Sequence, residues 1–315
     1  MRTTGRSFVV LVAALCMAML AGCGSAGSSS APTATAAAPS VAASTAASVA
    51  PTQDACAAAN LKTLAAGKLT VGADNPAYPP FYQPSASAVP GSVWQLGEPT
   101  NQQGLESAVA YAIAQKLGFT KDQVVWTPVP FDNAIQPGPK AFDIYLSQVS
   151  YSADRAKAVD LSDGYFDLNQ SVVALKDSPI SKVTTVAGLA AFKLGAQATT
   201  TSYTYIVDNI KPTQPAKAYD TNDLAVKAVG AGQIDGVVVD LPTAFYITGS
   251  GELENSVIVG SLPTKGDVEH FSVALDLGSS LTPCVNQAIA ALKADGTLAA
   301  LTTQWISGQG APELK

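Results

Sequence analysis

The chain of 315 residues contains a single histidine, His270. Nucleophilic hydrolases use a histidine as general base and zinc sites use several, so one histidine argues against Ser-His-Asp, Cys-His and histidine-rich metal chemistry. The sequence also has no GxGxxG or Walker-type loop, the glycine-rich turns that hold nucleotide phosphates. The chain therefore lacks most of the residue patterns that enzymes use, and no cofactor is predicted.

Runs of lysine and arginine are absent as well. The net charge is −6, and it becomes −8 without residues 1–22, which hold two arginines and no acidic residue. An acidic chain without a basic cluster argues against a nucleic-acid partner.

The N-terminus has the pattern of an export signal. Two arginines in the first six residues precede an apolar run over residues 8–20, and Leu-Ala-Gly then leads into Cys23. An apolar run this short does not span a bilayer comfortably, and small residues precede a cleavage point. The pattern looks like a bacterial lipobox, which predicts a lipoprotein signal over residues 1–22 and a lipidated Cys23. The alternative is a plain secretory signal cleaved after Gly22 or nearby.

Residues 23–53 consist almost entirely of alanine, serine, threonine and proline, without a charged residue. Such a composition cannot bury a core and predicts a disordered tether. The folded region is therefore expected to begin near residue 54, on the outer face of the bacterial cell membrane and anchored through the lipid alone.

The four cysteines divide by position. Cys16 lies in the signal and Cys23 is the anchor, which leaves Cys56 and Cys284. Outside the cytoplasm two such cysteines are expected to form a disulfide. The alternative is a pair of free buried thiols.

Strand and helix patterns alternate from residue 68 onward, which predicts an α/β fold with largely parallel sheets. Leu105, Val109, Ile113 and Leu117 recur at helical spacing, and Gly118 is placed to end that helix. Predicted strands cover residues 69–72, 124–129, 142–149, 193–197 and 234–239. Further helices are predicted from residue 202, from residue 221, and over residues 283–293 and 298–306.

Two extended segments, residues 168–175 and 271–277, flank a central block of the chain. If both cross between lobes, residues 168–272 form a second lobe, and residues 54–167 with 273–315 form the first. Two lobes on two strand-like connections make a hinge, and the gap between them makes a cleft.

The most informative segment is residues 142–165, where Arg155 follows a run of small hydroxyl residues and Gln148. A strand that ends in neutral donors and one guanidinium suits a carboxylate. The alternative is a surface arginine paired with Asp154 or Asp160.

At this point the sequence resembles the extracellular solute-binding proteins of family 3, the lipoproteins that bind substrates of polar amino-acid ABC transporters. The resemblance covers residues 67–306 and rests on several motifs in a fixed order. They are GKLTVG at 67–72, PPF at 79–81, SYSADR at 150–155, VDLS at 159–162, GQIDGVVVD at 232–240, and ADGT at 294–297 followed by Trp305.

This resemblance implies a two-lobed type II periplasmic-binding fold with two crossover strands as its hinge. It also implies a protein that captures a free, polar amino acid and delivers it to the permease subunits of an ABC importer, with no catalysis. A monomer is expected, since nothing in the sequence suggests an obligate dimer.

The resemblance also assigns the two charged groups of the ligand. Arg155 matches the arginine that pairs with the α-carboxylate, with Ser150 and Gln148 adding donors. Asp240 matches the acid that accepts the α-ammonium group. A buried zwitterion needs one partner of each sign, which agrees with this pair. The alternative for Asp240 is a helix N-cap.

Further ligand contacts follow from the same resemblance. The family places a Gly-Ser/Thr pair at a helix start where this chain has Thr200 and Thr201, but Thr199 replaces the glycine, and capping by Thr200 is an alternative. Tyr78 and Phe131 match the aromatics that sandwich the ligand side chain, and packing in the core is the alternative for both. The remaining candidates are Gln197, and Asn75 at the position that holds an acid in members that take basic amino acids. Asn75 predicts a neutral polar ligand, whereas a shift by one residue would place Asp74 there and predict a basic one.

Two other functions stay open in the sequence. One is a ligand-sensing lipoprotein that signals through a partner. The other is a secreted dehydratase on the same fold, for which Glu106 or Asp240 would serve as the general acid. The long loop at residues 83–103, which holds Trp94, either covers the cleft or decorates the surface.

Overall fold

The structure is a computed structural model that describes residues 55–264, 266, 268–306 and 310–315. The predicted signal at residues 1–22, the predicted tether at 23–53 and the predicted lipidation site, Cys23, lie outside the described residues. Within the described ranges, no helix is long and apolar enough to cross a membrane.

Among the described residues, ten strands form two five-stranded sheets. The strands are β1 (Leu69–Ala73), β2 (Val124–Pro128), β3 (Ile144–Tyr145), β4 (Asp160–Asp167), β5 (Gln170–Leu175), β6 (Leu194–Gln197), β7 (Lys217–Tyr219), β8 (Gly236–Asp240), β9 (Ser256–Ser261) and β10 (His270–Leu275). The first sheet has the order β2-β1-β3-β10-β4 and the second has the order β7-β6-β8-β5-β9. Each sheet is the centre of one lobe, so the predicted two-lobed α/β fold is confirmed.

Both sheets are mixed. In each sheet four of the five strands run in one direction, in line with the prediction of largely parallel sheets, and one strand runs against them. In the first sheet β1 pairs in parallel with β2 and β3, whereas β10 pairs antiparallel with β3 and β4. The second sheet repeats this, with β6 parallel to β7 and β8, and β5 antiparallel to β8 and β9. The reversed strand in each sheet is the one that the chain enters from the other lobe: β10 in the first sheet and β5 in the second.

In the described part of the chain, seven α-helices cover these sheets. They are α1 (Leu105–Lys116), α2 (Phe131–Ile135), α3 (Thr201–Tyr205), α4 (Asn222–Gly230), α5 (Leu241–Ser250), α6 (Thr282–Ala294) and α7 (Thr297–Ile306). Helix α1 buries Leu105, Val109 and Ile113 on one face, as their spacing predicts. Gly118 follows with a φ of +84°, a backbone conformation that ends a helix and favours glycine.

The chain passes between the sheets at residues 168–169 and again between β9 and β10. The segments expected to connect the lobes are mainly strands of a single sheet, because β5 is paired within the second sheet and β10 within the first. The two passages therefore run close to Gln170, the first residue of β5, and Glu269, which immediately precedes β10.

The disulfide between Cys56 and Cys284 is present, with a Cα–Cα distance of 5.3 Å across 228 residues of chain. Both cysteines are buried. The bond ties the segment before β1 to the first turn of α6, so both ends of the first lobe are held together.

The last residues, 310–315, lie on the second sheet, although residues 273–315 are predicted to belong to the first lobe. Glu313 bridges to Ser261 of β9, and Leu314 is 2% exposed. Gly260 makes this contact possible, because a Cβ at that residue would lie 2.7 Å from Leu314 Cγ. The chain end therefore reaches from α7 of the first lobe to the sheet of the second.

Candidate functional site

A cavity lies where residues of both lobes meet. From the first lobe it is lined by Asp74, Tyr78, Phe131, Ser147, Gln148, Ser150 and Arg155; from the second lobe it is lined by Gln197, Thr200, Thr201, Ser202, Asn222, Val239 and Asp240. Nine of the ten predicted ligand-binding residues are among them. The structure brings these nine residues together around one cavity. That they contact a ligand stays a prediction.

Arg155 is buried in the wall of this cavity, with 8% of its surface exposed. One terminal nitrogen donates to the Ser150 carbonyl, and Nη2 donates to the Thr199 carbonyl at 2.9 Å. The guanidinium also lies over the Phe131 ring, 5.6 Å from its centroid. Neither Asp154 nor Asp160 pairs with it in the described part of the chain, where Asp154 binds Lys157 instead. Because a guanidinium has five N–H donors, three remain for a ligand carboxylate.

Gln148 is held in place by Glu106, which is fully buried in α1. Glu106 Oε1 accepts the Gln148 backbone N–H at 2.6 Å, and its carboxylate also accepts from the Gln148 amide and the Tyr165 hydroxyl. These bonds hold Gln148 at a φ of +51°, which is uncommon for a residue other than glycine. Burial raises the pKa of Glu106 to about 7, although its hydrogen bonds lower it in part. Glu106 therefore positions the cavity wall and does not itself line the cavity.

Asp240 ends β8 and lines the cavity from the second lobe. Asp240 occupies the N-cap position of α5, as the alternative had it, but its carboxylate makes no capping bond to that helix. Instead Oδ1 accepts from Gln170 Nε2 at 2.7 Å. The pKa of Asp240 is raised well above its ordinary value, mainly by burial and secondly by the nearby charge of Glu269.

Asp74, and not Asn75, lines the cavity. The Asn75 side chain is engaged with the long loop, because Nδ2 donates to the Val93 carbonyl and Oδ1 accepts from Gln95 N–H, both at 2.9 Å. The Asn75 assignment is therefore corrected. Burial is the main cause that raises the pKa of Asp74 above its ordinary value.

Thr199 departs from the glycine of the family pattern but keeps the backbone conformation that glycine favours, with a φ of +60°. Its hydroxyl donates to Asp132 Oδ1 across the cleft at 2.5 Å, while its carbonyl accepts from Arg155. Thr200 caps α3, since its hydroxyl oxygen accepts from Tyr203 N–H at 3.2 Å. Thr199 therefore contributes contacts between the lobes that do not need a ligand.

The loop at residues 83–103 contributes no residue to the cavity lining. Its Trp94 packs against the core of the first lobe. Of the two possibilities, surface decoration therefore agrees with the structure.

Sequence reasoning missed several residues around the cavity. Ser202, Asn222 and Val239 line it, and Gln170 and Glu269 lie directly behind Asp240. Gln170 and Glu269 are 99 residues apart and are polar residues in β-prone segments, so no local pattern marks them. In the described ranges, no group of three or more His, Cys, Asp or Glu residues could hold a metal ion.

The arrangement can hold a zwitterion, because a buried guanidinium and a carboxylate lie on opposite lobes of one cavity. The chain matches the bacterial extracellular solute-binding proteins, family 3, over residues 69–308 and belongs to this family.

Two characterised relatives are similar over most of their length. The arginine-binding extracellular protein ArtP of Bacillus subtilis (strain 168) is 24% identical over 221 residues, covering 69% of this chain and 82% of the relative. ABC transporter arginine-binding protein 1 of Escherichia coli (strain K12) is 26% identical over 249 residues, covering 76% of this chain and 91% of the relative.

Solved structures confirm the fold. An ancestral arginine-binding protein bound to glutamine has a TM-score of 0.61 and 26% identity, with coverage of 76% of this chain and 98% of the other. An ancestral amino acid-binding protein, described as a precursor of cyclohexadienyl dehydratase, has a TM-score of 0.60 and 27% identity, with coverage of 76% and 95%. The relatives are amino-acid-binding proteins, and a precursor of one enzyme shares their fold.

Proposed function

We propose that this protein captures a free amino acid between its two lobes, with Arg155 on the α-carboxylate and Asp240 on the α-ammonium group. The observation that carries the proposal is that these two residues, on opposite lobes, line one cavity. Ser150 and Gln148 add polar groups beside Arg155, and Phe131 supports the guanidinium. A ligand that contacts both lobes stabilises the closed state over the open one.

The side chain of the ligand is proposed to be cationic. Asp74 is a largely buried acid in the cavity wall, and in the described part of the chain no Lys or Arg lies within salt-bridge distance of it. A buried carboxylate is stabilised by a cation that the ligand can supply. Tyr78 offers an aromatic face in the same cavity, which suits an extended cationic side chain. The two relatives named for arginine binding support the same class.

The proposal includes delivery of the amino acid to an ABC importer, which family membership supports. It also includes anchoring of the protein, as a monomer, to the outer face of the cell membrane through lipid on Cys23, which the Leu-Ala-Gly-Cys sequence supports. Metabolic labelling with a palmitate analogue tests the anchor: wild type should be labelled and Cys23→Ala should not, and equal labelling would contradict it. A transport function predicts that cells lose uptake of the ligand when the gene is deleted. A sensing function predicts that uptake is unchanged by the deletion.

Catalysis by the cavity has little support. Glu106, one of the two candidate general acids, is fully buried, already accepts three hydrogen bonds and does not line the cavity. That leaves Asp240, which the proposal assigns to the ammonium group. When the protein is incubated with cyclic carboxylates, we expect to recover these compounds unchanged, and formation of a dehydrated product would contradict this.

A thermal-unfolding screen against the twenty amino acids tests the binding proposal. A ligand at 100 times its Kd should add about 2.7 kcal/mol to the free energy of unfolding, and we expect this for arginine or lysine. Arg155→Ala should abolish the effect, whereas Lys157→Ala, which removes an exposed cation two residues away, should retain it. Binding that survives Arg155→Ala would contradict the site.

A further inference from the structure

The amide of Gln170 connects two carboxylates behind the cavity. Its Oε1 accepts from the Ser202 hydroxyl at 2.5 Å, which turns Nε2 toward the acids. Nε2 then donates to Asp240 Oδ1 at 2.7 Å and lies 3.0 and 3.1 Å from the two oxygens of Glu269. Because both carboxylates reach the same nitrogen, they lie no more than about 6 Å apart, a distance at which each negative charge disfavours the other.

This cluster lies where the chain passes between the lobes. Gln170 begins β5 directly after the first passage, and Glu269 precedes β10 at the end of the second. Gln170 is 2% exposed, so its amide has little access to water. The cluster therefore joins both passages to the acid that lines the cavity.

The charges around Asp240 are unbalanced. The groups that face it are Glu269, Glu106 of α1, the phenol of Tyr165 in β4, and the Arg155 guanidinium. Two of these are acids and one is a cation that the proposed function assigns to the ligand carboxylate. Burial and the charge of Glu269 raise the pKa of Asp240 above its ordinary value. A cation placed beside Asp240 would favour its ionised form.

We propose that Glu269 is a positioning residue of the ammonium subsite: Gln170 holds its negative charge beside Asp240, Asp240 carries a proton in the ligand-free protein, and that proton leaves when an amino acid binds. This inference rests on the proposed function. The reactants are the protein with one proton on Asp240 and a ligand whose ammonium group is intact. The products are the complex with Asp240 ionised and one proton in the buffer.

The test is calorimetric titration of the protein with arginine or lysine, whichever binds, in buffers of different ionisation enthalpy between pH 5 and pH 9. In wild type we expect release that approaches one proton per ligand at the pH where Asp240 is protonated in the ligand-free protein. As the pH falls below that point, the Kd should rise up to about tenfold per pH unit. Asp74 can also release a proton, so the informative quantity is the difference between wild type and Glu269→Gln.

Glu269→Gln removes the neighbouring charge and should move the rise in Kd to lower pH, with less proton release near neutrality. Glu254→Gln, at an exposed acid away from the cavity, should behave as wild type. Identical pH profiles for wild type and Glu269→Gln would overturn the inference while the proposed function stands, as would wild-type binding without proton release. Absence of binding at every pH would instead refute the proposed function. If Glu269→Gln does not fold, the buffer dependence is measured for Asp74→Asn instead, which removes the other acid of the cavity wall: proton release that persists in this variant supports the inference, and release that disappears overturns it.

Discussion

Glu106→Gln tests how the cavity wall is held. In the folded protein the pKa of Glu106 is about 7, against an ordinary value of 4.5, a difference worth about 3 kcal/mol. The group is more protonated in the folded state than in the unfolded one. The corresponding stability is therefore fully present below pH 4.5 and is lost as the pH rises through 7.

Glutamine has the same shape and no charge. Its amide oxygen can accept from both the Gln148 N–H and the Tyr165 hydroxyl, as Oε1 of Glu106 does. Its amide nitrogen can donate to the Gln148 side-chain carbonyl once that amide turns over, so the variant should fold. Urea unfolding at several pH values between 5 and 8 gives the free energy of unfolding of both proteins. We expect wild type to lose about 3 kcal/mol relative to Glu106→Gln over this interval. Parallel curves would show that Glu106 is ionised throughout, and would refute the reasoning.

Three further changes have measurable consequences. Asp132→Ala removes the acceptor of the Thr199 hydroxyl across the cleft, and the closed state should lose about 1 kcal/mol. The ligand Kd, measured by titration, should therefore rise about fivefold, and an unchanged Kd would contradict a role of this bond in closure. Asp74→Asn should weaken binding of arginine or lysine by about 2 kcal/mol and leave neutral amino acids nearly unaffected, whereas an equal loss for both would remove Asp74 from the side-chain subsite. Replacing Cys56 and Cys284 with serine should lower the free energy of unfolding by up to roughly 5 kcal/mol without changing the ligand Kd. An unchanged free energy of unfolding would show that the disulfide does little to restrict the unfolded chain.

The parts of the fold that follow local rules could be predicted from sequence. The spacing of Leu105, Val109 and Ile113 is a property of one helix, and the burial of these residues in α1 follows from it. The disulfide followed from counting cysteines in an exported chain. Arg155 and Asp240 could be named because motifs mark them, and they line the same cavity.

The remaining features depend on contacts between distant residues. Asp74 and Asn75 are neighbours, and only the bonds between Asn75 and the long loop decide which of them lines the cavity. Gln170 and Glu269 meet because two lobe-to-lobe passages run side by side, which no local pattern contains. The end of the chain crosses to the second lobe because Gly260 leaves room for Leu314.

The most direct test of the central claim varies the ligand and keeps the protein unchanged. The amino acid that binds best is titrated against its methyl ester, which lacks the carboxylate, and its N-acetyl derivative, which lacks the ammonium group. If Arg155 and Asp240 hold these two groups in a buried site, each derivative should bind at least about 100-fold more weakly than the parent, because a buried charge is left without its partner. A derivative that binds as tightly as the parent would contradict the assignment of the corresponding residue, and equal binding of all three would refute capture of a zwitterion.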